Sequence, residues 1–277
     1  MNKFRRIIST ICVEPPFRRV AKLALQLCGA KPSVRARWDI APRKPQYLLG
    51  LVAAAQEAKR QRMSSISAIE FGVAGGHGLL AMQKEAASVG DEFGVVIKVF
   101  GFDAGAGLPT LIGDYRDHPD IWQPGDYPMN QDALRGQLNG NTQLIIGNVS
   151  DTVADFFSQY KAPPLGFISI DVDLYSSTRD ALGIFRAAGR QMLWHVPMYI
   201  DDIDMLYTHS KGGELLAVHE FNQTSQDVFI DEWRGVKNFR PFPEEPYLHR
   251  MYIAHDLTSI SNASLSRAAE VLPMSRS

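Results

Sequence analysis

Residues 69–82 read IEFGVAGGHGLLAM. An apolar run ends at Glu70 and Phe71; Gly72, Gly75, Gly76 and Gly78 follow, and then an apolar stretch with helical spacing. An acid near a strand end, bare backbone in the turn and a helix behind it leave room for a ligand against the main chain. The plainer reading is that the glycines only turn a strand tightly into a helix.

On both sides of this stretch, short apolar runs alternate with amphipathic ones. SAIEFGV (67–73), VIKVFGFD (96–103), TQLIIG (142–147), LGFISID (165–171) and VPMYID (196–201) read as strands. YLLGLVAAAQEAKRQRM (47–63), GLLAMQKEAASV (78–89), DTVADFFSQY (151–160) and TRDALGIFRAAGRQM (178–192) read as helices. The alternation predicts an α/β fold, a doubly wound and mostly parallel sheet with helices on both faces. YLHRMYIA (247–254), after a Pro-interrupted segment, is expected to add an antiparallel strand at the sheet edge. Residues 1–45 have weak periodicity and read as an N-terminal extension; residues 46–277 form the ligand-binding domain.

Composition bounds the function. A chain of 277 residues, 45% hydrophobic and 21% charged, suits one α/β domain with extensions. Its formal net charge of −1 gives no global attraction to nucleic acid. The two cysteines, Cys12 and Cys28, lie outside any metal-ligand spacing, which fits a reducing cytoplasm. No apolar run reaches the roughly 18 residues of a membrane span. The opening MNKFRRIISTICVEPPF reads as an arm rather than a signal peptide, because its apolar run stops at Pro15 and Pro16. FRRVAKLALQL (17–27) is a basic amphipathic helix expected to pack on its own domain. A membrane surface or a second subunit, giving a homodimer through the N-terminal extension, is the alternative.

Polar residues gather at one end of the predicted strands: Glu70, Asp103, Asn148, Asp171, and the pair Asp201 and Asp202. In an open α/β sheet that carboxyl edge is where ligands bind. Two ligands compete. Gly76-His77-Gly78-Leu79-Leu80-Ala81 fits the loose G-x-G-x-x-A form of a dinucleotide loop, with Asp103 at a tolerable distance. Glu70 opposes that reading, because a carboxylate there repels a pyrophosphate approaching the helix N-terminus. S-adenosylmethionine carries a sulfonium and an ammonium and no phosphate, so the same carboxylate attracts it.

Glu70-Phe71-Gly72-x-x-Gly75-Gly76-x-Gly78 resembles the first motif of class I methyltransferases. GFDAGAGLP (101–109) is similar to the GFDSFEGLP segment of the macrocin O-methyltransferase (TylF-like) family. IGNVSDTV (146–153), IDVDLYSSTRDAL (170–182) and YIDDID (199–204) resemble further segments of that family, in the same order. The resemblance implies a Rossmann-like, seven-stranded sheet. It implies that Glu70, Gly72, Val73, Ala74, Gly75, Gly76, His77, Gly78 and Asp171 line the cofactor. Asp103 stands where that class places the acid that bridges the ribose hydroxyls. Val149 and Ser150 stand where related catechol-type enzymes flank the adenine. Gly105-Ala106 and Ile203 depart from the family pattern, and the catechol-type lysine base would fall near Leu174.

Asp171, Asp173, Asp201 and Asp202 come from the ends of two neighbouring strands and would repel one another unless protonated or neutralised. Oxygen ligands suit Mg²⁺, and the resemblance implies Asp171, Asp201 and Asp202 as metal ligands. Asp173 lies nearby or caps the following helix. A bound Mg²⁺ lowers the pKa of an acceptor hydroxyl and orients it. Asp171 and His118 are the catalytic candidates. His118 lies in the long irregular stretch 104–133, where Tyr115, Trp122 and Tyr127 are available to stack on a ring; a plain surface-loop histidine is the other reading. The expected function is Mg²⁺-assisted O-methylation of a small-molecule hydroxyl, on a sugar or secondary metabolite. A nicotinamide-dependent oxidoreductase and a non-catalytic cofactor-fold binding protein are the alternatives.

Overall fold

Each of the five apolar runs becomes a strand of one sheet. The computed structural model describes residues 17–40, 43–238 and 240–263. The strands are β1 (Ser65–Phe71), β2 (Val96–Asp103), β3 (Thr142–Ile146), β4 (Leu165–Ile170), β5 (His195–Ile200), β6 (Val228–Glu232) and β7 (Met251–Asp256). Their order is β3-β2-β1-β4-β5-β7-β6. β1 to β5 pair in parallel, and β7 runs antiparallel to both β5 and β6. The reversed strand is therefore one place in from the edge, and β6 closes the sheet. All six residues of β4 are buried, as expected of a strand covered on both faces.

The helices are α1 (Phe17–Leu27), α2 (Pro32–Arg37), α3 (Pro45–Arg60) and α4 (His77–Phe93), then α5 (Tyr175–Ala181) and α6 (Gly213–Thr224), with short helical turns between. α3 and α4 pack side by side, and α3 lies so close to β4 that a Cβ on Gly50 would meet the Phe167 ring at 2.1 Å. α5 and α6 pack on each other, and α6 reaches β6. The helical pattern of 178–192 divides into α5 and a turn at Ile184–Ala188, parted near Gly183. The C-terminal strand begins at Met251, because Pro246 opens a 3₁₀ turn (Pro246–Arg250) and has no N–H to give to a ladder.

The extension is stapled to the domain. Arg35 Nη2 lies 2.7 Å from Glu85 Oε2, and Ser33 N donates to Glu92 Oε2 at 2.8 Å, both on α4. Buried Asp39 accepts from Arg240 and Tyr247, and Arg240 also donates to Ala36 O at 3.1 Å. α1 stands further out, with Phe17, Val20, Leu23 and Leu27 exposed. Among the described residues no helix is long and apolar enough to cross a membrane.

The chain leaves β1 toward β2 and β3, then returns to the other side of β1 at β4. This switch point opens a crevice at the carboxyl edge. Asp171 N donates to Phe71 O at 2.9 Å across it. Gly72 has φ +84°, and a Cβ there would lie 1.7 Å from Asp171 O, so the closeness of β1 and β4 itself demands glycine.

Candidate active site

A cavity of about 490 Å³ fills this crevice, within the range of small-molecule sites. Gly72, Val73, Ala74, Gly75, His77 and Gly78 line it from the loop after β1. Glu70, Asp103, Asn148, Val149, Asp171, Asp173 and Asp202 come from the other strand ends. Leu108, Pro109, Trp122, Asp126 and Tyr127 wall it from the irregular loop, and Lys44 reaches in from the turn before α3.

Glu70 is buried, and Tyr47 OH donates to its Oε1 at 2.6 Å while Ser169 Oγ donates to Tyr47 OH at 3.0 Å. A Cβ on Gly78 would lie 1.9 Å from Glu70 Oε1, so the glycine makes room for the acid. Glu70 Oε2 is buried without a partner among the described residues. Burial pushes the Glu70 carboxyl up to about 8, with the Asp171 charge adding and the Tyr47 hydrogen bond opposing. Its ordinary value is 4.5, so between the two values the folded chain holds a proton that the unfolded chain has released. Stability from Glu70 is therefore full below about 4.5 and is lost as the pH rises through about 8. Urea unfolding should show this decline in the wild type and a flatter profile in Glu70→Gln. Identical slopes in the two proteins would show that Glu70 is already ionised in the folded chain.

Asp103 organises the loop directly. Its Oδ2 accepts from Val73 N at 2.9 Å and Ala74 N at 2.8 Å, and its Oδ1 accepts from Gly105 N at 2.6 Å. A carboxylate has roughly four acceptor positions, so the loop leaves little of Asp103 free. A bridge to two ribose hydroxyls requires a loop N–H to let go. Gly76 does not line the cavity. It has φ +82°, caps α4, and a Cβ on it would lie 2.5 Å from Leu134 Cδ1. Val149 lines the cavity, whereas Ser150 is exposed and donates to Asp151 Oδ1 at 3.1 Å.

His118 is not among the cavity-lining residues, contrary to the expectation for a base. Asp117 beside it accepts from Ile112 N at 2.9 Å and from Ser176 N at 2.8 Å, which ties the loop to the start of α5. The His118 ring then turns inward onto His209, 4.8 Å between centroids, with its Nε2 buried and without a hydrogen-bond partner among the described residues. Burial and the neighbouring His209 push its pKa down.

The aspartates divide into two groups. Asp171 Oδ2 lies 3.3 Å from Lys44 Nζ, and Asp201 Oδ2 lies 3.7 Å from the same atom. Asp201 Oδ1 accepts from Tyr199 OH at 2.6 Å and from Arg250, whose other nitrogen lies 2.5 Å from Asp204 Oδ1. Burial alone would raise the Asp201 carboxyl, but the Tyr199 hydrogen bond and the charges of Lys44 and Arg250 hold it below its ordinary value. Asp173 and Asp202 form the second group, each carboxyl affecting the other's proton affinity. Burial raises both, Asp202 further, and Asp202 Oδ2 is buried with no hydrogen-bond partner among the described residues. Burial and the Asp201 charge raise Asp171, against Lys44. The charge that looks unbalanced in the sequence is thus met by Lys44 and Arg250, and burial favours the neutral form of Asp202. The expected metal set does not fit this arrangement: both oxygens of Asp201 are engaged by Arg250, Tyr199 and Lys44, and Asp201 does not line the cavity. No group of three or more His, Cys, Asp or Glu among the described residues converges as a metal site.

Lys44, Tyr47 and Asp173 are the site residues that sequence reasoning passed over or left open. Asp173 carries one signal only in three dimensions, a left-handed backbone at φ 64°.

Neither a family model nor a curated protein sequence matches this chain. Solved structures match its shape. CalS11, calicheamicin methyltransferase, aligns at TM-score 0.52 and 17% identity, covering 91% of this chain and 90% of that one. The O-methyltransferase NovP aligns at TM-score 0.43 and 17% identity, over 55% of this chain and 62% of that one. The MycE methyltransferase in complex with Mg, SAH and mycinamycin VI aligns at TM-score 0.39 and 14% identity, over 73% and 48%. At these identities the likeness to CalS11 establishes the fold, a Rossmann-like methyltransferase fold with a seven-stranded mixed sheet. Similarity to the macrocin O-methyltransferase family remains one of motifs.

Proposed function

We propose that this chain is an S-adenosylmethionine-dependent methyltransferase acting on a hydroxyl of a small molecule, with sugars and natural products as the acceptor class. One observation carries the reading: the cavity wall combines bare backbone with six carboxyl groups, Glu70, Asp103, Asp126, Asp171, Asp173 and Asp202, against one lysine. Even with burial favouring the neutral form of Glu70 and Asp202, the other acids outnumber Lys44, which favours a cationic, phosphate-free ligand over a dinucleotide. The fold shared with CalS11, itself a methyltransferase, supports it.

S-adenosylmethionine supplies a methyl group on positively charged sulfur, open to in-line displacement. Glu70, whose Oε2 has no partner among the described residues, would receive the ligand's ammonium, and the approach of that charge would favour the carboxylate form. The loop 72–78 would hold the methionine part, Asp103 a ribose hydroxyl and Val149 the adenine. Trp122 and Tyr127, 6.3 Å apart between ring centroids, form the acceptor wall. Asp173 takes the place first given to His118. Bound S-adenosylmethionine would supply the methyl group, and the Asp173 carboxylate would accept the proton of the acceptor hydroxyl.

Calorimetric titration with S-adenosylhomocysteine and with NADH tests the cofactor, and labelled methyl transfer to a panel of hydroxylated acceptors tests the reaction. Asp173→Asn should lower kcat by about a hundredfold or more while sparing S-adenosylhomocysteine affinity. Binding of NADH in place of S-adenosylhomocysteine would return the chain to the oxidoreductases. Cofactor binding without transfer to any acceptor would favour a non-catalytic binding protein.

A further inference from the structure

The metal position of the expected mechanism is the space between Asp171 and Asp201, and a side chain of this protein already occupies it. Lys44 Nζ sits 3.3 Å from Asp171 Oδ2 and 3.7 Å from Asp201 Oδ2. The far oxygen of Asp201 accepts from Tyr199 OH at 2.6 Å and is paired with Arg250. A divalent ion bridging these two carboxylates would have to expel the ammonium from the same two oxygens.

The placement of Lys44 is also held from outside the site. Its backbone is left-handed, φ 47°, an uncommon state for a residue with a Cβ, and Pro45 follows it as the first residue of α3. Earlier in the chain, Asp39 accepts from Arg240 and Tyr247. The Lys44 side chain is 29% exposed, lies 5.5 Å from the Tyr47 ring centroid and lines the cavity. Strain of this kind persists where surrounding structure enforces it, commonly at functional sites.

We infer that Lys44 is the resident cation of the site, holding Asp171 and Asp201 in place of a divalent ion. As an account of catalysis this rests on the proposed methyl transfer, in which Lys44 is a positioning residue and the reaction runs without divalent metal. As an account of the site it does not, and the test reads metal binding alone. The full-length wild type, stripped with EDTA and titrated with Mn²⁺ under electron paramagnetic resonance, should show no saturable site. Lys44→Gln should gain one Mn²⁺ per chain, and Asp201→Asn in that background should lose it. Lys44→Met, of similar length, replaces Lys44→Gln if that variant does not fold. A wild type that binds one Mn²⁺ between these residues overturns the inference, as does a folded Lys44 variant that binds none. Failure of methyl transfer with these binding results intact would count against the proposed function and leave the cation assignment standing.

Discussion

Gly75→Val is expected to abolish S-adenosylhomocysteine binding and to leave the melting temperature unchanged. The structure separates this glycine from its neighbours. A Cβ on Gly75 meets nothing closer than His77 Nδ1 at 3.5 Å, an ordinary contact, and its φ is not in the left-handed region. Nothing in the folded chain therefore requires glycine there. Gly75 lines the cavity, so a valine side chain would fill space that a ligand crossing the loop needs. An affinity loss of at least a hundredfold, about 2.8 kcal/mol, is expected. Gly72 and Gly78 are the controls, since a Cβ would lie 1.7 Å from Asp171 O and 1.9 Å from Glu70 Oε1 respectively. Alanine at either should destabilise the fold itself. Calorimetry showing wild-type affinity in Gly75→Val would remove the ligand from this loop.

Asp103→Ala should lower both stability and affinity, in that order of size. Three backbone N–H groups lose their acceptor, at about 1.5–3 kcal/mol for each charge-assisted bond before water compensates. Affinity should fall by about ten- to a hundredfold for one ribose bond of the same kind. The two effects separate in practice: a thermal scan without ligand reads the loop bonds, and titration of the folded variant reads the ribose. A folded Asp103→Ala protein with unchanged S-adenosylhomocysteine affinity would leave Asp103 as a loop anchor only.

Hydrophobic periodicity was enough to predict the five parallel strands, the helices α3 and α4 and the acids at one sheet edge. Burial repeats along the chain with the period of each element, so it can be read from neighbours in sequence. The strand β6, at the edge and only partly buried, offered too weak an alternation to be singled out. The glycines were visible as a group, but their separate duties were not. Gly72 answers to Asp171 on another strand, Gly76 to Leu134 and Gly78 to Glu70, while Gly75 answers to no protein atom as closely. His118 was drawn toward the site by the composition of its loop, and Asp117 turned it away through bonds to α5.

Charge was the part that only tertiary structure decided. Between Asp171 and Asp204 the sequence shows an acidic cluster with no cation beside the paired aspartates, which asks for a metal. In space, Lys44 arrives from 127 residues before Asp171, and Arg250 from 49 residues after Asp201. Both come from elements whose ends the sheet order brings to the same carboxyl edge, the start of α3 and the turn before β7. Coulombic neutralisation acts through distance in space and has no period along the chain, so a cation anywhere in the sequence can meet it.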